Sequence, residues 1–132
     1  MEPDEYERRG AAASRPRPGT VSLERPAAGV VIVTLGGEHD LNTRPQLGEA
    51  LARAGDAIGV LVDLTDCAFI DSTVIGVLVV AFQTAAESGR RFELTIPEDA
   101  RAIRRVATVA GLTTFMTIHG TRAAGLESIT AP

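Results

Sequence analysis

The chain has 132 residues, 45% of them hydrophobic and 23% charged, with a formal net charge of −4. That length suits one domain with a real core, and the acidic balance argues against a phosphate backbone as the main partner. With a single cysteine, Cys67, there is no internal disulfide, and every basic residue is arginine.

Residues 1–19 read as a flexible arm. They hold mixed charges, Ala11–Ala13 and the run Arg15-Pro16-Arg17-Pro18-Gly19, and offer little to bury. They lack the apolar run of a signal peptide, and Ile75–Phe82, the longest apolar stretch, is too short to span a bilayer. The expected setting is therefore the cytoplasm, away from membranes. From Thr20 to the end the chain reads as one domain. Val21-Ser22-Leu23 is a short strand and Pro26–Gly29 its turn. Val30–Leu35 is a β-rich apolar run, so a buried strand, ended by Gly36-Gly37. Asn42 or Thr43 caps a helix with Pro45 in its first turn and Leu47, Ala50, Leu51 and Ala54 on its apolar face.

Ile58–Leu64 is a second apolar strand, interrupted by Asp63. Two such runs around a helix predict a parallel βαβ unit. Asp66–Asp71 reads as a connection, and Ser72 to about Glu87 as a helix. Ile75, Leu78, Val79, Phe82 and Ala86 share the face expected to meet the sheet, leaving Val74, Val77, Val80 and Ala81 on the other. Near Ser72 that second face, Val74 and Val77 included, is a candidate partner contact. Phe92–Ile96 is a third core strand, and Pro97-Glu98-Asp99 opens a helix with Ile103, Val106 and Val109 inward. Gly111 is its closing glycine, Leu112 the apolar contact behind it. Phe115–Ile118 is a last strand and Thr121–Ile129 a last helix. The expected fold class is α/β, a mixed sheet of about five strands with about four helices packed against it.

Catalytic chemistry is thin. His39 and His119 have no Cys/His cluster at ligand spacing, so each reads as structural or superficial, and no metal or cofactor is expected. Cys67 lies shortly before a helix, which can lower a thiol pKa, but a lone semi-buried thiol is the simpler reading. Gly36-Gly37-Glu38 is too short for a phosphate-binding loop and lacks a following lysine. The segment Phe69-Ile70-Asp71-Ser72-Thr73-Val74-Ile75-Gly76 stands apart, since it gathers an acid and two hydroxyls at a helix start. One reading is an N-cap alone. The other is a hydroxyl exposed for phosphorylation at the positive end of a helix. A small hydrolase or phosphotransferase using Asp71 and Ser72 would need a general base, and the neighbourhood in sequence offers only Asp71.

Three pieces of the chain resemble the sulfate transporter and anti-sigma factor antagonist (STAS) family. They are Gly37-Glu38-His39-Asp40, then Asp63–Thr73 with its Asp71-Ser72-Thr73 triplet, then Val109-Ala110-Gly111-Leu112. The resemblance covers about residues 20–130 and is to the stand-alone bacterial antagonists. It implies a protein that is not an enzyme and that works by partner switching. The unmodified form binds an anti-sigma factor that is also a serine kinase. That kinase phosphorylates the antagonist and ends the binding, and a phosphatase resets it. On this chain the implied acceptor is Ser72, with Thr73 the alternative, and Asp40 and Asp71 border the binding surface. The chain departs from the family pattern at Val74, where glycine is usual, and at His39, where an apolar residue is usual. A β-branched residue beside the acceptor stiffens the first turn. It leaves open a member that binds within a signalling complex without being phosphorylated.

Overall fold

Val30–Leu35 is apolar without alternation because the strand it forms is covered on both sides. The computed structural model describes residues 17–132, so the first 16 residues of the expected arm lie outside it. The elements run β1 (Thr20–Ala27), β2 (Val30–His39), α1 (Arg44–Ala54), β3 (Gly59–Asp63), β4 (Cys67–Ile70), α2 (Ser72–Glu87), β5 (Arg91–Thr95), α3 (Arg101–Val109), a 3-10 turn (Leu112–Thr114), β6 (Ile118–His119) and α4 (Arg122–Thr130). They build a six-stranded mixed sheet in the order β1-β2-β3-β5-β6, with β4 on the far end of β2. Only β1 is antiparallel to its neighbour.

Alternate residues of the parallel strands feed two cores. Val31, Val33, Leu35, Val60, Val62, Phe92 and Leu94 pack with the inner faces of α1, α2 and α3. Val30, Ile32 and Leu61 face the other way, onto Ile129 and Leu126 of α4. That helix sits close to the sheet: a Cβ on Gly125 would come within 2.7 Å of Thr95 Oγ1 and 2.8 Å of Leu61 Cδ1.

The α/β class and the four helices are as expected, with one strand more. Asp66–Asp71 is not a plain connection, because Cys67–Ile70 pairs in parallel with β2. Cys67 and Ile70 are buried while Ala68 and Phe69 face outward, a pattern with neither alternation nor an apolar run. Gly36-Gly37 does not end β2. Gly37 takes φ +73°, the register shifts there, and the strand continues through Glu38 and His39. A Cβ on Gly37 would collide with the Pro18 carbonyl oxygen. Pro18 is held there by its neighbour: the Arg17 amide donates to Glu38 Oε2 at 3.0 Å, and the Glu38 amide donates to the Arg17 carbonyl at 3.2 Å. Residues 17–19, assigned by sequence to the arm, thus lie along β2.

Pro97-Glu98-Asp99 forms a turn rather than the start of α3. The Ala100 amide donates to the Pro97 carbonyl, and the helix begins at Arg101 without acids in its first turn. Ile103 and Ala107, four residues apart, are its buried pair, whereas Val109 is turned away and 82% exposed. Gly111 closes the helix at φ +79° with Leu112 buried behind it. The 3-10 turn then shortens the last strand to Ile118–His119 and stacks Phe115 on Phe82, ring centroids 5.4 Å apart.

Asp63, buried at the end of β3, accepts from the Thr65 amide at 2.9 Å and the Thr65 hydroxyl at 2.5 Å. Its other oxygen accepts from Arg122 at 3.2 Å, and Arg122 also donates to Thr34 Oγ1 and Glu24. The interruption in the second apolar run is therefore the anchor of α4.

Two outcomes follow for urea unfolding. Gly37→Ala is expected to lose ~2–4 kcal/mol, the sum of a left-handed backbone penalty and a main-chain collision. Arg122→Met is expected to lose ~1–3 kcal/mol by stranding the Asp63 carboxylate. The loss stays below that of a fully buried pair because the Arg122 side chain is 38% exposed. Adding Asp63→Asn to Arg122→Met is expected to recover part of it; no recovery would mean that packing, not charge, holds α4.

Candidate functional site

Parallel pairing puts the carboxyl ends of β2 and β4 side by side. His39 is in register with Ile70, and the Asp71 amide donates to the His39 carbonyl at 3.2 Å. Asp40 and Asp71 therefore leave the sheet together, one toward α1 and one toward α2.

Asp71 is the N-cap of α2, with extended backbone at φ −105° and ψ −179°. Its Oδ1 accepts from the Thr73 amide at 3.0 Å, the Val74 amide at 3.1 Å and the Thr73 hydroxyl at 2.6 Å. The Thr73 hydroxyl is the main reason its carboxyl stays below the ordinary carboxylate range. Slight burial opposes this, and the amides of Val74, Thr73 and Leu41 reinforce it. Ser72, the first helical residue, is exposed and takes no part in the cap. Asp71 is thus the cap, and Ser72 is an exposed residue outside it.

Asp40 organises the other exit. Its Oδ1 accepts from the Asn42 amide at 2.8 Å, and its carbonyl accepts from the Thr43 and Arg44 amides. Thr43 stands at the N-cap position of α1 without capping it through its side chain. Its hydroxyl lies 3.0 Å from His39 Nδ1 instead. His39 is wholly buried, with Nε2 2.9 Å from the Gly36 carbonyl. A carbonyl only accepts, so Nε2 carries a hydrogen there and leaves Nδ1 facing the Thr43 hydroxyl. The departure from an apolar residue at position 39 is met by a complete polar lock. His119 is also bound, at 2.7 Å from Glu93 Oε1.

Two open grooves run along α2. One, of about 430 Å³, is lined by Ser72, Ile75, Arg105, Val106, Val109 and Ala110. The other, of about 460 Å³, is lined by Arg44, Thr73, Gly76, Val77 and Val80. Val77 is half-buried at the groove wall. Val74 requires a correction: it is fully buried among core residues and meets no partner in the folded domain. It belongs to the main core cluster, and α2 packs against α1 as well as the sheet. On the same helix Ala85, not Ala86, is the buried alanine. The exposed apolar residues near the site are Leu41 and Phe69, beside the two acids in the chain, and Val80 and Val109 in the grooves. Sequence reasoning named Val80 only as part of a helix face, turned Val109 inward, and gave Leu41 and Phe69 no role.

Cys67 is buried, and its thiol is pushed up to about 11, mainly by desolvation; its S–H donates to the Phe69 carbonyl at 3.4 Å. The nearby helix start does not lower it. Among the described residues no group of three or more His, Cys, Asp or Glu side chains is arranged to hold a metal. No described helix is long and apolar enough to cross a membrane.

Residues 19–118 match the sequence profile of the family described as Mlab, STAS domain. The chain belongs to the STAS family. Solved structures share the STAS fold. An anti-sigma factor antagonist from Mycobacterium paratuberculosis superposes with a TM-score of 0.77 at 22% identity, over 86% of this chain and 96% of its own. The Bacillus cell fate determinant SpoIIAA in its phosphorylated form gives 0.66 at 20% identity, over 83% and 99%. SpoIIAA in its unphosphorylated form gives 0.67 at 20% identity, over 83% and 96%. No curated protein matches the chain in sequence.

Asp71→Ala orphans two amides of this STAS domain and is expected to cost ~1–2 kcal/mol, whereas Asp71→Asn, still a capping residue, costs less. The folded carboxyl titrates below its ordinary range, so its contribution is present above the unfolded pKa near ~4 and fades as pH falls through the folded value. The melting-temperature gap between parent and Asp71→Ala is therefore expected to be widest near neutral pH and to close on acidification. A gap that is constant with pH would show that the carboxylate charge is irrelevant.

Proposed function

We propose that this STAS domain is an anti-sigma factor antagonist, and that Ser72 accepts a phosphoryl group from an anti-sigma factor of the serine-kinase type. The observation that carries the reading is the division of labour within the triplet. Thr73 is half-buried and donates its hydroxyl to Asp71, while the neighbouring Ser72 is exposed and lines the groove between α2 and α3. Ser72 is thus preferred over Thr73 as the acceptor. The matched structures include anti-sigma factor antagonists, one of them in a phosphorylated form, which supports the same role.

In the transfer, Ser72 Oγ attacks the γ-phosphorus of ATP, a new O–P bond forms, the bond to the β-phosphate oxygen breaks, and ADP leaves. The hydroxyl proton goes to a base. Asp71 Oδ1 already accepts three hydrogen bonds and its carboxyl is held at low pKa, so it is a poor base, and the partner supplies one. The dependence on ATP makes the cytoplasm the proposed setting. The unmodified domain docks through the apolar rim of Leu41, Phe69, Val77 and Val80, with Asp40 and Asp71 shaping the loops beneath. Phosphate adds a charge of about −1.5 to −2 beside those two acids. A loss of ~2.7 kcal/mol would lower affinity a hundredfold. A serine phosphatase then restores the hydroxyl.

The test is incubation with ATP and the anti-sigma kinase encoded nearby, followed by mass spectrometry and binding measurements. Phosphate is expected on Ser72. Ser72→Ala is expected to bind that kinase constitutively, and Ser72→Glu to bind at least tenfold more weakly. Absence of phosphate, with both variants binding like the parent, would leave a STAS binding module without the switch.

A further inference from the structure

We propose that Arg105 captures the phosphate carried by Ser72 and, in doing so, closes the groove between α2 and α3. This rests on Ser72 being the phosphorylated residue, as proposed above.

Ser72 and Arg105 line the same groove from two different helices. Its remaining lining, Ile75, Val106, Val109 and Ala110, is apolar. Arg105 and Val109 are four residues apart on α3, so they stand on one face of that helix, toward the groove mouth. Arg105 is exposed. Among the described residues the ion pairs are those of His119 and Arg122, and none involves Arg105. The adjacent arginine is committed elsewhere: Arg104 donates to the Ile96 carbonyl at 2.6 Å and the Pro97 carbonyl at 2.9 Å. One guanidinium fastens the loop before α3, and the next stands at the groove without an ion pair among the described residues.

A guanidinium presents a planar fork that matches phosphate oxygens two at a time. Apolar walls exclude water from one side and strengthen the attraction relative to open solvent. The pairing also has a steric effect. An arginine drawn toward Ser72 lays its aliphatic stem over Val106 and Val109 and takes that apolar surface from any partner. Phosphorylation would then act twice, by adding charge at Ser72 and by hiding the groove beside it. Arg44, in the groove on the Thr73 side, is the competing cation.

The experiment installs phosphoserine at position 72 during translation, so no kinase is needed. The phosphate is titrated by phosphorus NMR in the parent, Arg105→Gln, Arg44→Gln and the exposed control Arg101→Gln. In the parent the second phosphate pKa is expected below the ordinary value near ~6. Arg105→Gln is expected to raise it by roughly one unit. Arg101→Gln and Arg44→Gln are expected to leave it in place. The methyl resonances of Val109 are expected to move on phosphorylation in the parent and to stay put in Arg105→Gln. Identical titration in parent and Arg105→Gln would overturn the capture, as would a shift abolished only by Arg44→Gln. Unmoved Val109 methyls would overturn the closure. A kinase that never modifies Ser72 would defeat the proposed function and leave this measurement intact.

Discussion

The second strand serves two neighbours in succession, and the arrangement at the site depends on that handover. Val30–Thr34 pair with β3, and Gly37–His39 pair with β4 after a shift of register. The jog between β3 and β4 is stitched to β2 at its centre, where the Gly37 amide donates to the Asp66 carbonyl at 3.0 Å. Without the left-handed backbone at Gly37 the strand could not change partners and stay hydrogen-bonded. A slip by one residue would exchange the two faces of the strand. His39 would then leave its buried pocket, and Asp40 and Asp71 would no longer emerge together.

The surface built on that junction inverts the usual order of a protein exterior. Its polar groups are satisfied from within: Asp71 by the start of α2, Asp40 by the turn into α1, His39 by Gly36 and Thr43. Leu41, Phe69, Val80 and Val109 are what it offers outward. Such a patch gains little from water and much from a second surface. Its hydrogen bonds are complete before any partner arrives, so docking there disturbs few of them, and the hydroxyl of Ser72 is the polar group of the triplet not drawn into the cap.

Much of this was legible in the chain itself. Continuous apolar runs announced the doubly covered strands, and helical spacing announced α1, α2 and α4 with good limits. Asp71-Ser72-Thr73 at a helix start marked the site. What escaped notice depends on distant parts of the chain. β4 has four residues and owes its existence to the end of β2. The glycine pair reads as a terminator unless the bulge and the crossing of Pro18 are known. Val74 has the same composition signal whether it faces solvent or the core, and tertiary packing decided the matter. Ser72 and Arg105 sit on separate helices, so their meeting in one groove has no signature in either segment.

The burial of Val74 also changes what its departure from the family's usual glycine means. The side chain adds bulk to the interior beneath Ser72 and leaves the exterior around that serine unaltered. Cys67 has a practical counterpart. With its thiol near 11, about one molecule in ten thousand is thiolate at neutral pH, against roughly three in a hundred for an exposed cysteine. The buried native thiol is thus expected to react slowly with alkylating dyes. A single cysteine introduced at Val80 would take a fluorophore selectively, with the native thiol left in place to keep its hydrogen bond and its packing.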